Sequence, residues 1–269
     1  MQDSNEHQPP MIVGGNLKDA LNGQYTLNLR EVFQQTLLVT KKHWSSLFLG
    51  CIAFLGILIV ITLLAFSIFP EAWIAQVVPT EPGQPVSQSA VIILSLLGAA
   101  IGAPFWGGLI LMGIRHSVDI PTKAVDVFDG FSQLAPLVLT LVVTSVLTQL
   151  AIFLTGQIHW GVSVLAQLYL NVIFAFALPL VIERRITPLN AIYYSVRITH
   201  FKLPLYVLLL LMVTGLIILS SLMFFVPLII VVPLIFNMLG IVYKEVVGVS
   251  ITLDKPSPDD DNKPSPWDA

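Results

Sequence analysis

The stretch Ala135–Ile182 carries no Asp, Glu, Lys or Arg. A helix needs about 20 apolar residues to cross roughly 30 Å of hydrocarbon. This run is therefore long enough for two crossings, with a tight turn expected around Gly156–Gly161. Leu203–Tyr243 is equally free of charge and also long enough for two, and Ser220–Ser221 offers the break. Ser45–Phe69 and Ala90–Ile114 each supply one more. The expected fold is all-α and polytopic, with six spans at about 45–69, 90–114, 135–156, 160–182, 203–221 and 223–243. Composition agrees: 55% of the 269 residues are hydrophobic and 11% charged, against about a quarter charged in soluble domains.

Charge placement gives an orientation. Lys and Arg gather on the cytoplasmic side of membrane proteins. With both termini inside, the inner segments 1–44, 115–134, 183–202 and 244–269 hold all 13 basic residues, and the outer loops hold Glu71 and Glu81. No apolar core follows a basic start, so no cleavable signal peptide is expected and the first span directs insertion. A membrane is the expected location, with anionic lipids the expected contacts. A protein partner or homo-oligomer is a further expectation; nucleic acid is not.

A weak repeat accompanies the spans. Each odd-numbered span follows a short amphipathic segment on the inner side, giving three units of elbow helix plus helical hairpin. The first elbow has Leu29, Val32, Phe33 and Leu37 on one face, and Asn28 with Glu31 at capping-box spacing. The second, 120–134, aligns Val125, Phe128 and Leu134. The third has Leu189, Ile192, Tyr193 and Val196, with Thr187 able to cap and Pro188 suited to the first turn. Such helices lie in the headgroup plane with basic residues among the phosphates. Residues 1–27 are polar and read as a disordered N-terminus. Residues 249–269, with Lys-Pro-Ser-Pro twice around three aspartates, read as a disordered tail.

Candidate functional residues are few. No span interior carries an ionisable Asp, Glu, Lys or Arg, the groups that ion-coupled transporters and proton relays use. Gln149, Gln167, Asn171 and Asn237 form a candidate intramembrane polar patch, and Gln167 and Asn171 share a helix face. Gly98, Gly102, Ala103 and Gly107 follow small-xxx-small spacing for close helix packing. Pro104 is expected to bend that span. Arg184, Arg185, Arg197 and Lys202 are candidate contacts for lipid or a partner. Glu183 beside the two arginines offers the alternative of an anion-binding group. Cys51 and the scattered histidines have no metal-ligand spacing, so neither metal nor cofactor is expected.

"DVFDG" (126–130) matches the opening of the CDP-alcohol phosphotransferase motif, but Gln133 and Leu134 replace its Ala-Arg and no Asp follows before Asp254. GxSxG, HExxH and P-loop patterns are also missing. From "GGLILMGIRHSVDIPTKAVDVFDGF" through "FAFALPLVIERRITPLNAIYYSVRITHFKLPL" to "YKEVVG", the chain resembles bacterial six-span inner-membrane proteins of the YciC type. It is similar, too, to the membrane domain that precedes some glycerophosphodiester phosphodiesterases. The shared positions are Phe128, Gly130 and Phe131, then Pro179, Leu180 and Val181, then Pro188, Ala191 and Ser195. The resemblance implies fold and location over about residues 30–248. It implies no activity, since the catalytic domain of those phosphodiesterases is missing here. The first expectation is thus a non-enzymatic accessory, scaffold or lipid-interacting protein. The alternative is a transporter of an apolar or lipid-like solute. A third is a headgroup enzyme, which would need Asp126, Asp129, His116 and Glu183 to converge.

Overall fold

The computed structural model describes residues 11–68, 87–224 and 226–251. The elements run β1 (Met11–Val13), α1 (Leu17–Leu21), α2 (Leu29–Ile68), α3 (Gln88–Ser117), a 3-10 helix (Ala124–Gln133), α4 (Leu134–Gly156), α5 (Trp160–Ile173), α6 (Ala177–Arg184), α7 (Pro188–Phe201), α8 (Leu203–Leu222), α9 (Leu228–Val246) and β2 (Val249–Ile251). Six helical stretches are long and apolar enough to cross a membrane; the third joins the 3-10 helix to α4 and the fourth joins α5 to α6. The segment bearing Glu71, Trp73 and Glu81, and the tail from 252, lie outside the described residues.

Several boundaries differ from those expected. The first amphipathic segment is not a separate elbow: α2 runs 40 residues without a break. It contains no proline, and Lys41 and Lys42 are good helix formers. At 1.5 Å per residue it is about 60 Å long, twice the hydrocarbon thickness. Asn28 caps it, its Oδ1 accepting from the Arg30 N–H at 3.1 Å, whereas Glu31 turns to Gln35. Thr187 makes no side-chain cap on α7, although Pro188 does sit in its first turn. Ser220 and Ser221 do not break α8, because their hydroxyls bond back to Leu216 and Ile217 one turn earlier. The turn comes after Leu222 instead, and Phe224 adopts φ 55° there.

The N-terminal segment from residue 11 is part of the fold, not a disordered leader. β1 pairs antiparallel with β2, Met11 opposite Ile251 and Val13 opposite Val249. Tyr25 is buried; its hydroxyl donates to the Ile198 carbonyl at 2.8 Å and receives one from Tyr206 at 3.1 Å. Both ends of the described chain therefore meet at one end of the bundle. Contacts among Lys42, Arg115, Arg184, Lys202 and Lys244 and their partners collect there as well, and we call it the charged end.

The fourth span is broken. α5 stops at Ile173 and α6 restarts at Ala177. The break would strand backbone groups inside the bundle, which is costly away from water. Ser195 of α7 closes it. Its hydroxyl donates to the Ile173 carbonyl at 2.6 Å and accepts from the Phe176 N–H at 3.0 Å. α7 is thereby fastened beneath the span, with Ala191, Ile192, Ser195, Ile198 and Thr199 on its buried face.

α3 is the centre of the bundle, packed on α9, the 3-10 helix, α4, α2 and α6. α9 packs far more on α3 and α2 than on its sequence neighbour α8. Glycines set the two closest approaches. A Cβ at Gly240 would overlap the Gly113 carbonyl, and one at Gly113 the Phe236 carbonyl, so α3 and α9 meet backbone to backbone. Gly108 and Gly130 do the same between α3 and the 3-10 helix. Of the expected packing set, Ala103 is buried and Gly107 faces Leu137 of α4, but Gly98 is open and Gly102 meets mainly Trp106 of its own helix. Gly240→Val is expected to destabilise by about 1–3 kcal/mol through overpacking, while Gly98→Ala leaves the unfolding midpoint unchanged. Denaturation in mixed micelles measures both.

Candidate functional site

The polar side chains of the charged end fall into three constellations. The first is a buried junction where α2, α3 and α9 meet. His116 closes α3 and is fully buried. Its Nδ1 lies 2.9 Å from Asn237 Oδ1 of α9, and its Nε2 lies 2.7 Å from Thr122 Oγ1 in the following loop. Asn237 Nδ2 donates to Thr40 Oγ1 of α2 at 3.1 Å. That amide orientation turns Oδ1 toward the ring, so Nδ1 carries the imidazole proton and the unprotonated Nε2 faces the Thr122 and Ser46 hydroxyls. Ser46 stands 3.2 Å from Thr122 Oγ1, and the His43 ring stacks on His116 at 4.5 Å. At the surface Asp119, at φ 64°, receives Lys42 at 2.5 Å and faces His43 at 3.3 Å. The Lys42 ammonium, and after it His43, hold the Asp119 carboxyl below its ordinary range. Every polar atom of the junction has a partner, which suits a helix-locking role.

The second constellation fastens the chain ends. The Glu183 side chain is only 6% exposed. It accepts from the Tyr243 hydroxyl at 2.7 Å and from both the N–H and the hydroxyl of Ser250, at 2.8 and 2.6 Å. Arg184 Nη2 donates to the Gly248 carbonyl at 2.9 Å. Its Nε sits 2.8 Å from Glu183 Oε2, an ion pair whose angle is not that of a hydrogen bond. Lys202 donates to the Tyr25 carbonyl and lies over the Tyr25 ring at 4.8 Å. Arg184 and Lys202 therefore hold β2 and the N-terminal segment rather than face outward.

The third is the outer face of α7. Leu189, Tyr193 and Phe201 are 67%, 57% and 51% exposed. Arg197 and His200 are exposed beside them, and a shallow depression of about 420 Å³ is lined by Tyr193, Val196, Arg197, His200 and Phe201. Arg185, just before this face, is exposed and left-handed at φ 53°. It ends α6 with the Ile186 N–H bonded back to the Leu180 carbonyl at 3.4 Å, the pattern that glycine ordinarily completes.

The remaining candidates do not converge. Asn237 belongs to the buried junction, Gln149 is half-buried on α4, and Gln167 and Asn171 are exposed on α5. Asn171 borders a cavity of about 200 Å³ between α5, α8 and α9 whose other lining residues are apolar apart from Tyr206. Nor do the acidic candidates assemble: Arg115 engages Asp129 at 2.6 Å and Asp126 at 3.7 Å, while Glu183 serves the clasp. Among the described residues, no three His, Cys, Asp or Glu side chains are grouped closely enough to hold a metal. Sequence reasoning missed Thr40, His43, Ser46 and Thr122, since nothing in the local pattern pairs positions 40, 116 and 237.

No family model, curated protein or solved structure matches the chain.

Asn237→Leu leaves His116 and Thr40 without their partner and is expected to cost about 1–3 kcal/mol, read as a lower denaturation midpoint in mixed micelles. Arg184→Met is expected to release β2, seen as faster amide hydrogen exchange at 249–251 with little change in the cores of α3 and α9.

Proposed function

We propose that this is a non-enzymatic protein of a bacterial inner membrane, with cytoplasmic termini, that acts as an embedded accessory or scaffold by holding anionic lipid headgroups. The observation that carries the reading is the outer face of α7. Leu189, Tyr193 and Phe201 are exposed apolar anchors on α7, Arg197 is an exposed cation among them, and Arg185 adds a second cation in the turn just before the helix. An amphipathic helix in the headgroup plane has this composition, its rings in the acyl boundary and its cations among phosphates. The opposite face of α7 is sutured to the fourth span, so the surface is rigidly presented.

Arg185 adds an independent argument. A non-glycine residue in the left-handed region carries a backbone penalty of roughly 1 kcal/mol. Retaining arginine there makes sense if its side chain has work to do. The concentration of basic residues at one end of the bundle supports a cytoplasmic assignment for that end. The resemblance to the YciC-type proteins supports the location.

Because φ 53° suits glycine, Arg185→Gly separates binding from folding. Each cation near an anionic surface contributes about 1 kcal/mol, roughly a factor of five. Arg185→Gly with Arg197→Gln is expected to lower retention of phosphatidylglycerol about 25-fold on these grounds, with an unchanged or raised unfolding midpoint. Native mass spectrometry of protein released from phosphatidylglycerol-containing nanodiscs measures it; undiminished retention in the folded double variant rejects the proposal.

A further inference from the structure

We infer that a groove between α2 and α9 is a binding site for one anionic phospholipid of the surrounding bilayer, its acyl chain along the groove and its phosphate on Lys41. The groove encloses about 430 Å³, within the roughly 300–1,000 Å³ of ligand pockets. Leu37, Lys41 and Trp44 of α2 form one wall, Ile230 and Leu234 of α9 the other, and Thr40 the floor. A volume of this size accommodates a single hydrocarbon chain.

The polar and apolar ends are ordered as a phospholipid requires. The Thr40–Asn237 bond fixes the register of the two helices. Leu234 and Ile230 lie three and seven residues from Asn237 in the direction away from the charged end. At 1.5 Å per residue, Ile230 is about 10 Å deeper than the Thr40 level. Lys41 sits at that level, where a lysine marks the headgroup boundary because its charge is not carried into hydrocarbon. Trp44 follows one turn deeper, at the depth where amphipathic rings collect. The deeper walls, Ile229 and Ile230, are exposed isoleucines.

Charge complementarity selects the headgroup. Lys42, adjacent in sequence, is neutralised by Asp119 at 2.5 Å. Lys41 is exposed and makes no ion pair among the described residues. Leu37 lies one turn nearer the charged end than Lys41, and the groove lining thus holds one cation without an ion pair and no carboxylate. A phosphodiester carrying net negative charge satisfies it; a zwitterionic lipid brings its own cation to compete. The site shares with the α7 surface only the reading of the six apolar helices as spans.

The experiment uses full-length protein purified in detergent and loaded with phosphatidylglycerol or phosphatidylcholine of identical chains, with bound lipids counted by native mass spectrometry. It is run in the Arg185→Gly, Arg197→Gln background, so that lipid at α7 is removed from the count and failure of one site is distinguishable from failure of the other. One phosphatidylglycerol is expected to persist in preference to phosphatidylcholine. Lys41→Gln, a surface change that leaves folding intact, is expected to reduce that preference about fivefold. Ile230→Trp, which fills the groove, is expected to abolish the retained lipid. Equal retention of both lipids, or retention of phosphatidylglycerol unchanged by Lys41→Gln, overturns the inference.

Discussion

The contact of α3 with α9 at Gly113 and Gly240 is the constraint on which the remaining structure depends. Hydrocarbon solvates leucine as well as a neighbouring helix does, so apolar burial alone draws two spans together weakly. Dispersion between closely approaching backbones and hydrogen bonds across the contact must supply the attraction. The two glycines allow the approach. That approach places Asn237 within reach of His116 and of Thr40, so one amide joins three helices. The loop after α3 is then held by Thr122, the 3-10 helix lies against Gly108, and the chain ends are gathered at the foot of α9.

What could be seen in the sequence was whatever a strong energetic penalty had written there. Charges are excluded from hydrocarbon, so the spans and the clustering of basic residues are legible. The details were not, for reasons specific to each residue. The break at 174–176 lies in "FAFALPL", where Pro179 has no N–H for the Ala175 carbonyl, but the hydroxyl that repairs it comes about twenty residues later. Gly98 and Gly102 have the familiar spacing, yet Gly113 and Gly240 bring α3 and α9 backbone to backbone, because spacing says nothing about what lies opposite. Gln167 and Asn171 share a helix face, but spacing along one helix does not say which way that face turns, and both are exposed on α5. Arg184 and Arg185 are adjacent and chemically identical. Only the left-handed turn at Arg185 sends one toward the Gly248 carbonyl and the other outward.

The charged end therefore contains two kinds of cation with different physical duties. Arg184, Lys202 and Arg115 are partly buried beside carbonyls or carboxylates. Removing such a group leaves desolvated partners unmatched, and the loss falls on stability. Arg185, Arg197 and Lys41 project from the surface. Exposed charges of this kind contribute little to stability, and in the proposed reading their removal falls on lipid binding instead. The distinction turns a uniformly basic rim into a frame and a set of contacts.

Ser195 gives the broken span a mechanical meaning. One hydroxyl joins the last carbonyl of α5 to the Phe176 N–H ahead of α6, and the residue that bears it belongs to a different helix. The joint lies eight to ten residues into the span from Arg184, about 13 Å along the axis. Within the chain the joint keeps only turn bonds, Ala175 N–H to the Val172 carbonyl and Ala177 N–H to the Phe174 carbonyl. The clamp on it therefore comes from α7, so the two half-helices and the helix beneath them are tied at a single hydroxyl.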